Sequence, residues 1–388
     1  MIKRKICVVT ANRADFSRLE TVLEGIEAHQ DLELHLIVIG SHLLDKAGYT
    51  IEEIEKKGFT VNHRLFMEVA GENPTTMAKS VGLAMIELST IFDHVKPDIV
   101  LTHGDRYEAL AVGSAAAIMN ICVGHIQGGE ISGSIDESIR HALTKMSHLH
   151  FVSTEGSKER IIKMGEDPKA VFNVGCPGTD VLLRAPVKSR YDTIAELNEK
   201  MVKVAQKLDP KLPYILVLQH PVTTEHRDAG DQMLETIEAL SGREEQLLIL
   251  WPNIDAGSDV LSAVLRRHPV VAQEGVKIFK HLSPTSLFAN VLRNASCVVG
   301  NSSTGIRETC YFGTPVVNIG SRQYGRERGS NVIDVPHDRA LIQEAIQKQI
   351  THGPYDTEFL YGDGTAGRQL TEICASRELP NIQKRIQY

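Results

Sequence analysis

The chain contains no Cys-x-x-Cys pair, and its six cysteines (Cys7, Cys122, Cys176, Cys297, Cys310, Cys374) are scattered over 388 residues. Most sit in or beside apolar runs, where a free thiol behaves as a small hydrophobe. That pattern excludes a disulfide framework and a zinc knuckle and points to a reducing compartment. Basic excess is also missing: 42 Lys and Arg against 49 Asp and Glu leave a net charge of -7. A nucleic-acid partner, which needs a positive face, is therefore not expected, although a local pocket for a small anion is still compatible. Long hydrophobic runs are absent too. The longest candidate, 109–126, is broken by Asn120 and rich in Gly, Ser and Ala, so it reads as a buried helix followed by a strand and not as a membrane span. The apolar stretch after MIKRK is only about five residues, too short for a signal peptide. A cytoplasmic protein with no membrane partner is expected. Neither G-x-G-x-x-G nor a P-loop occurs at a strand-to-helix turn, which argues against a nicotinamide enzyme or a P-loop kinase. His148 and His150 have no third ligand at metal spacing. No cofactor and no metal are expected.

What the chain does have is 42% hydrophobic and 23% charged residues, enough apolar material for two globular domains. Short β-branched runs alternate with amphipathic stretches. KICVVT, ELHLIVIG, DIVLTHG, ICVGHI and LHFVS read as strands in the first half, and YILVLQH, QLLILWPN, VKIFKHL, ASCVVGN and TPVVNIG in the second. Near-continuous apolar strands separated by helices mean parallel sheets covered on both faces. The expected fold class is α/β, with two doubly wound Rossmann-like domains facing an inter-domain cleft. Boundaries are expected at 1–175 for the first domain, 176–212 for a linker whose polar stretch from Lys188 to Pro213 reads as one helix, and 213–364 for the second.

Ligands of open parallel sheets sit beyond the carboxyl ends of the strands, and here nearly every strand ends in polar residues. In VVGNSSTGIRETCYFGTPVV a strand ends at Gly300-Asn301, two serines follow and a helix begins. Free backbone N–H groups, a helix dipole and the Ser302 and Ser303 hydroxyls would make a phosphate seat, with Glu308 placed to accept from a ribose diol. An ordinary serine cap, worth ~1 kcal/mol, is the plainer account of the same residues. Arg13, Arg106 and Arg322 lie in sheet-end loops and are candidates for diphosphate contacts.

NRADFS, HGDRYEALA, HIQGGEISGSIDESIRHALTKMSHLHF, LQHPVTTE, WPNIDAGS and GNSSTGIRE together resemble the hydrolysing UDP-N-acetylglucosamine 2-epimerases of bacterial sialic-acid pathways and of the animal bifunctional enzyme. The similarity runs in one order from Ile6 to about Gly364. It implies a GT-B-like fold, a last helix (365–388) packing back on the first domain, a UDP-sugar substrate and a homodimer or homotetramer. It also implies loss of UDP and the C2 proton to give a 2-acetamidoglucal, followed by hydration to free N-acetylmannosamine for sialic acid synthesis. On the matching positions, Asp105 and Asp136 are acid–base groups and His220 faces the leaving phosphate. Ser17, Asn253 and His281 are substrate contacts, the last near the uracil. The chain departs from the pattern at Gln127, where many relatives carry Glu. An amide cannot ionise, so Glu130 is the nearest substitute, followed by Asp136 and Glu137. Alternatives left open are the same reaction on UDP-2,4-diacetamido-2,4,6-trideoxyglucose, a GT-B glycosyltransferase, and an inactive nucleotide-sugar binder.

Overall fold

The computed structural model describes residues 3–71, 73–131, 135–201, 207–222, 225–252, 258–280 and 282–387. Asn253 and His281 lie outside the described residues. Contacts divide the chain into one unit of Met1–Val181 with Tyr361–Tyr388 and a second of Leu182–Leu360.

The first unit is built on seven parallel strands: β1 (Arg4–Thr10), β2 (Leu32–Ile39), β3 (Val61–Leu65), β4 (Ile99–His103), β5 (Cys122–Ile126), β6 (Leu149–Val152) and β7 (Val171–Asn173). Their order is β3-β2-β1-β4-β5-β6-β7. Alternate residues of β1 enter opposite cores, Ile6 and Val8 on one face and Cys7 and Val9 on the other. That is why the strand is apolar throughout and does not alternate. Each such large aliphatic side chain, once buried, contributes roughly 1.5–3 kcal/mol.

The helix Ala366–Ser376 returns to this unit and packs on the helix Arg13–Ala28. Glycines set the closeness of that crossing. A Cβ on Gly25 would lie 2.4 Å from Thr371 Oγ1, and one on Gly367 would lie 2.5 Å from Thr21 Oγ1. Asp180 secures the contact by accepting the N–H groups of Ala366 (3.2 Å) and Gly367 (2.8 Å) and the Thr21 hydroxyl (3.1 Å). Further on, Lys384 reaches Glu166 at 2.5 Å, and the same carboxylate binds Lys145 at 2.8 Å and His150 at 3.2 Å. His148 is also a core group, accepting from the Val123 N–H and donating to the Ile382 carbonyl.

The second unit holds β8 (Tyr214–Leu218), β9 (Gln246–Leu250), β10 (Val276–Phe279), β11 (Cys297–Gly300), β12 (Val316–Ile319) and β13 (Val332–Val335), in the order β10-β9-β8-β11-β12-β13. Both sheets thus show the doubly wound order, with the direction of winding reversing at β1/β4 and at β8/β11. The stretch from Lys188 to Pro213 is not one helix. Its helix spans Arg190–Lys200, and Ile194 and Leu197 join the second unit's core. The helix expected from Thr304 is likewise short, Thr304–Arg307, followed by a 3₁₀ turn at Thr309–Phe312. Thr309 donates its hydroxyl to the Gly305 carbonyl at 2.8 Å, a back-bond that competes with the regular ladder.

Three strands not evident as apolar runs are β3, β7 and β13, and each closes one edge of a sheet. β3 alternates between half-buried and exposed until Leu65, and β13 has no fully buried residue. Edge strands do not need an apolar run. Among the described residues no helix is long and apolar enough to cross a membrane, and no three His, Cys, Asp or Glu side chains could hold a metal ion.

Candidate active site

At the first switch point, β1 runs through Ala11 into Asn12, which caps the helix Arg13–Ala28 by accepting the Asp15 N–H at 3.0 Å. Asp15 returns one carboxylate oxygen to the Ala11 N–H at 2.9 Å and presents the other to His103 Nδ1 at 2.5 Å. Burial alone would raise the Asp15 carboxyl. The bond and charge of His103, with the backbone N–H, outweigh it and hold the carboxyl below its ordinary range. His103 is the last residue of β4, and its other ring nitrogen lies 3.0 Å from Gln127 Oε1.

Gln127 follows β5 with φ +64°, a left-handed conformation costing a non-glycine residue about 1–2 kcal/mol. It is 3% exposed. Its amide also reaches Cys176 Sγ at 2.8 Å and Arg18 at 3.5 Å. Position 127 is therefore held by the protein's own groups on both ends of the amide. Asp15, Arg18, His103, Asp105, Arg106 and Glu108 are among the walls of a cavity of about 90 Å³ beside these strand ends. That is room for part of a ligand, well below the roughly 300–1,000 Å³ of whole small-molecule sites. Arg13 and Ser17 do not line it. Arg13 is half exposed and pairs with Glu53 at 3.4 Å, and Ser17 donates to the Ala14 carbonyl.

The acids stand on the next turns. Asp105, two residues beyond β4, pairs with Arg140, whose side chain is 2% exposed. The other end of the same guanidinium donates to the Glu130 carbonyl at 2.6 Å, while Arg160 donates to the Gly129 carbonyl at 2.8 Å. Glu130 is buried, and Asp136 is half-buried in the first turn of the helix Ile135–Met146. Arg106 binds Glu108 through two nitrogens at 3.2 and 3.3 Å. Burial lifts the Glu108 carboxyl above its usual range in spite of that arginine. His125 donates to the Gly104 carbonyl at 2.7 Å, and burial pushes its pKa down to about 3, so its ring is neutral at physiological pH.

At the second switch point Asn301 is the organising side chain. Fully buried, it accepts the His220 N–H and donates to the His220 carbonyl, both at 2.8 Å. Gly300 precedes it with φ +134°, and a Cβ there would lie 2.3 Å from the Leu218 carbonyl oxygen. Only glycine lets β8 and β11 approach so closely. Burial, and then the charge of Arg322, push His220 down to about 4. Arg322 donates to the Asn301 carbonyl at 3.1 Å.

The expected phosphate seat is smaller than the sequence suggests. The N–H groups of Asn301 and Ser302 are not free, since both donate to the Leu218 carbonyl, at 3.0 and 3.2 Å. The four-residue helix that follows offers little dipole. Ser303 makes no side-chain cap, and Ser302 Oγ accepts only a long 3.4 Å contact from Thr304. Glu308 is half-buried just after this helix.

Sequence reasoning missed Asp15, Arg140 and Asn301 as site builders. Their signals were present: an acid three residues after an Asn cap, an arginine four residues after Asp136, and an Asn directly after a strand-ending glycine.

Residues 24–375 match the model of a family described as UDP-N-acetylglucosamine 2-epimerase. A Legionella pneumophila UDP-N,N'-diacetylbacillosamine 2-epimerase (hydrolyzing) is 35% identical, covering 95% of each chain. A UDP-N-acetylglucosamine 2-epimerase of Neisseria meningitidis is 32% identical, covering 99% of this chain and 98% of the relative. Among solved structures, UDP-GlcNAc 2-epimerase from Neisseria meningitidis bound to UDP-GlcNAc superposes with a TM-score of 0.76 at 16% identity, over 95% of this chain and 98% of that one. That likeness shows the α/β class that the alternating strands and helices imply and the GT-B-like form that the family resemblance implies.

Proposed function

The chain belongs to the UDP-N-acetylglucosamine 2-epimerase family, and from that premise we propose that it is a hydrolysing 2-epimerase of a UDP-linked 2-acetamido sugar. The reaction removes the C2 proton while the C1–O bond to UDP breaks, leaving a 2-acetamidoglucal and UDP. Water then adds at C1, and a proton reaches C2 from the opposite face, giving the free 2-epimeric sugar. Such chemistry needs a base at C2, an acid for the return delivery, and groups that steady the departing diphosphate.

The observation that supports this reading is the placement of Asp105, Glu130 and Asp136 on the turns just beyond β4 and β5, with Arg140 bridging the Asp105 carboxylate and the Glu130 backbone, in a chain whose family match spans residues 24–375. Asp105, Glu130 and Asp136 supply the proton transfers. His220, neutral at physiological pH, donates a hydrogen bond to the leaving phosphate. Ser303, Arg322 and Glu308, with Ser302, hold the nucleotide, and Arg106 adds positive charge. Asn253 and His281 belong to the nucleotide side by family resemblance, as Arg13 and Ser17 do in the first unit. Gln127 is a binding and framework group that takes no proton.

UDP-N-acetylglucosamine, giving N-acetylmannosamine for sialic acid synthesis, is one substrate reading. UDP-2,4-diacetamido-2,4,6-trideoxyglucose is the other. It is favoured by the names of two relatives at 35% identity, the second a GDP/UDP-N,N'-diacetylbacillosamine 2-epimerase (hydrolyzing) of Campylobacter jejuni. Incubating the purified protein with each sugar nucleotide and following UDP release separates them. The substrate should lose UDP at least ten times faster than its competitor, a difference of about 1.4 kcal/mol. Release from neither would refute the proposal.

A further inference from the structure

The three candidate acids come from three separate segments, and one buried side chain ties two of those segments to the helix that carries the third. Asp105 lies beyond β4, Glu130 in the turn beyond β5, and Asp136 at the start of the helix Ile135–Met146. Arg140 gives one end of its guanidinium to the Asp105 carboxylate and the other to the Glu130 carbonyl at 2.6 Å. Asp136 stands four residues before it, on the same helix face. A guanidinium with 2% of its side chain exposed is costly unless its partners are fixed. Its rigid fork can hold two acceptors at once, which a lysine cannot.

We propose that Arg140 is a positioning residue that keeps Asp105 ionised and aimed as the base while locking the Glu130 turn to the helix of Asp136. A neighbouring guanidinium favours the carboxylate form of an aspartate, so Asp105 takes the C2 proton and the return acid is one of the other two. This assignment rests on the epimerase reading above. The pairing itself does not, and the test separates the two.

The substrate-free protein, labelled with carboxyl-¹³C aspartate, is titrated by NMR as wild type, Arg140→Met and Arg140→Lys, with Asp105→Asn identifying the signal. Loss of the guanidinium should move the Asp105 midpoint up by roughly one to three pH units, while the lysine variant keeps it near the wild-type value. In parallel, the acid limb of kcat/KM for UDP release should rise with that midpoint in Arg140→Met. Arg140→Lys should keep the limb but recover only part of kcat, because one ammonium cannot span both acceptors. In the Asp105→Asn background, Arg140→Met should still lower kcat, but by less than in the wild type, because only the hold on the Glu130 turn is left to lose there. An Asp105 midpoint unmoved in a folded Arg140→Met protein overturns the proposal, and so does full kcat in Arg140→Lys. If Arg140→Met does not fold, the lysine variant decides alone. A wild type that releases no UDP refutes the epimerase reading, while the NMR titration still decides the role of Arg140.

Discussion

Replacing Glu166 by Gln should destabilise the first unit in a way that vanishes in acid. The Glu166 side chain is 3% exposed and binds Lys145, Lys384 and His150 at 2.8, 2.5 and 3.2 Å. Burial would raise this carboxyl, but those three partners hold it down to about 2 from an ordinary 4.5. At about 1.4 kcal/mol per pH unit, the ionised network contributes about 3 kcal/mol at most. Lys145 and Lys384 keep 45% and 26% of their side chains exposed, so screening leaves roughly 1.5–3 kcal/mol. The sign follows from a depressed carboxyl. The contribution is complete above pH 4.5 and is lost as pH falls through about 2. For a unit of this size the variant should melt roughly 3–12 °C lower at neutral pH. Differential scanning calorimetry of both proteins from pH 7 down to pH 2 measures it, with the gap closing below pH 4.5. A gap that is absent at pH 7, or that is unchanged at pH 2, refutes the reasoning. Because Lys384 belongs to the C-terminal segment, limited proteolysis should also release that segment first in the variant.

Gln127→Glu should change kcat for UDP release by less than about tenfold, whereas Asp105→Asn should lower it by about 10²–10⁴-fold. The amide at 127 is already committed to His103 and Cys176, so a carboxylate there has no open route to substrate; a large rise in kcat would count against this. Gly300→Ala should destabilise the second unit by about 1–3 kcal/mol in urea titration and raise KM for the sugar nucleotide. The new Cβ would strike the Leu218 carbonyl that also receives the Asn301 and Ser302 N–H groups. An unchanged KM would separate that turn from nucleotide binding.

The central strands were legible because they are buried on both faces and must be apolar throughout. β3, β7 and β13 were not, because an edge strand pairs on one side only and tolerates Asn62, Arg64 or Asp334. The positions of the candidate groups just beyond strand ends were legible, as with Asp105, Gln127 and His220 after β4, β5 and β8. The partners that set those groups were not. Arg140 looks like any helix arginine until folding buries it against Asp105, and Asp15 looks like a first-turn acid until His103 meets it. At Ser302–Ser303 the residue types were legible and the number of open N–H groups was not. The pattern of a strand, two serines and a helix was visible, but the claim of the Leu218 carbonyl on two N–H groups depends on a tertiary neighbour.

The central claim is proton exchange at C2 coupled to loss of UDP, and turnover in heavy water tests it most directly. The wild-type protein is incubated with UDP-N-acetylglucosamine and, separately, with UDP-2,4-diacetamido-2,4,6-trideoxyglucose, and the products are examined by NMR and mass spectrometry. One of them should give UDP and a free 2-epimeric sugar carrying one deuterium at C2. A sugar released with its original C2 proton and configuration, or both sugar nucleotides left intact, would contradict it.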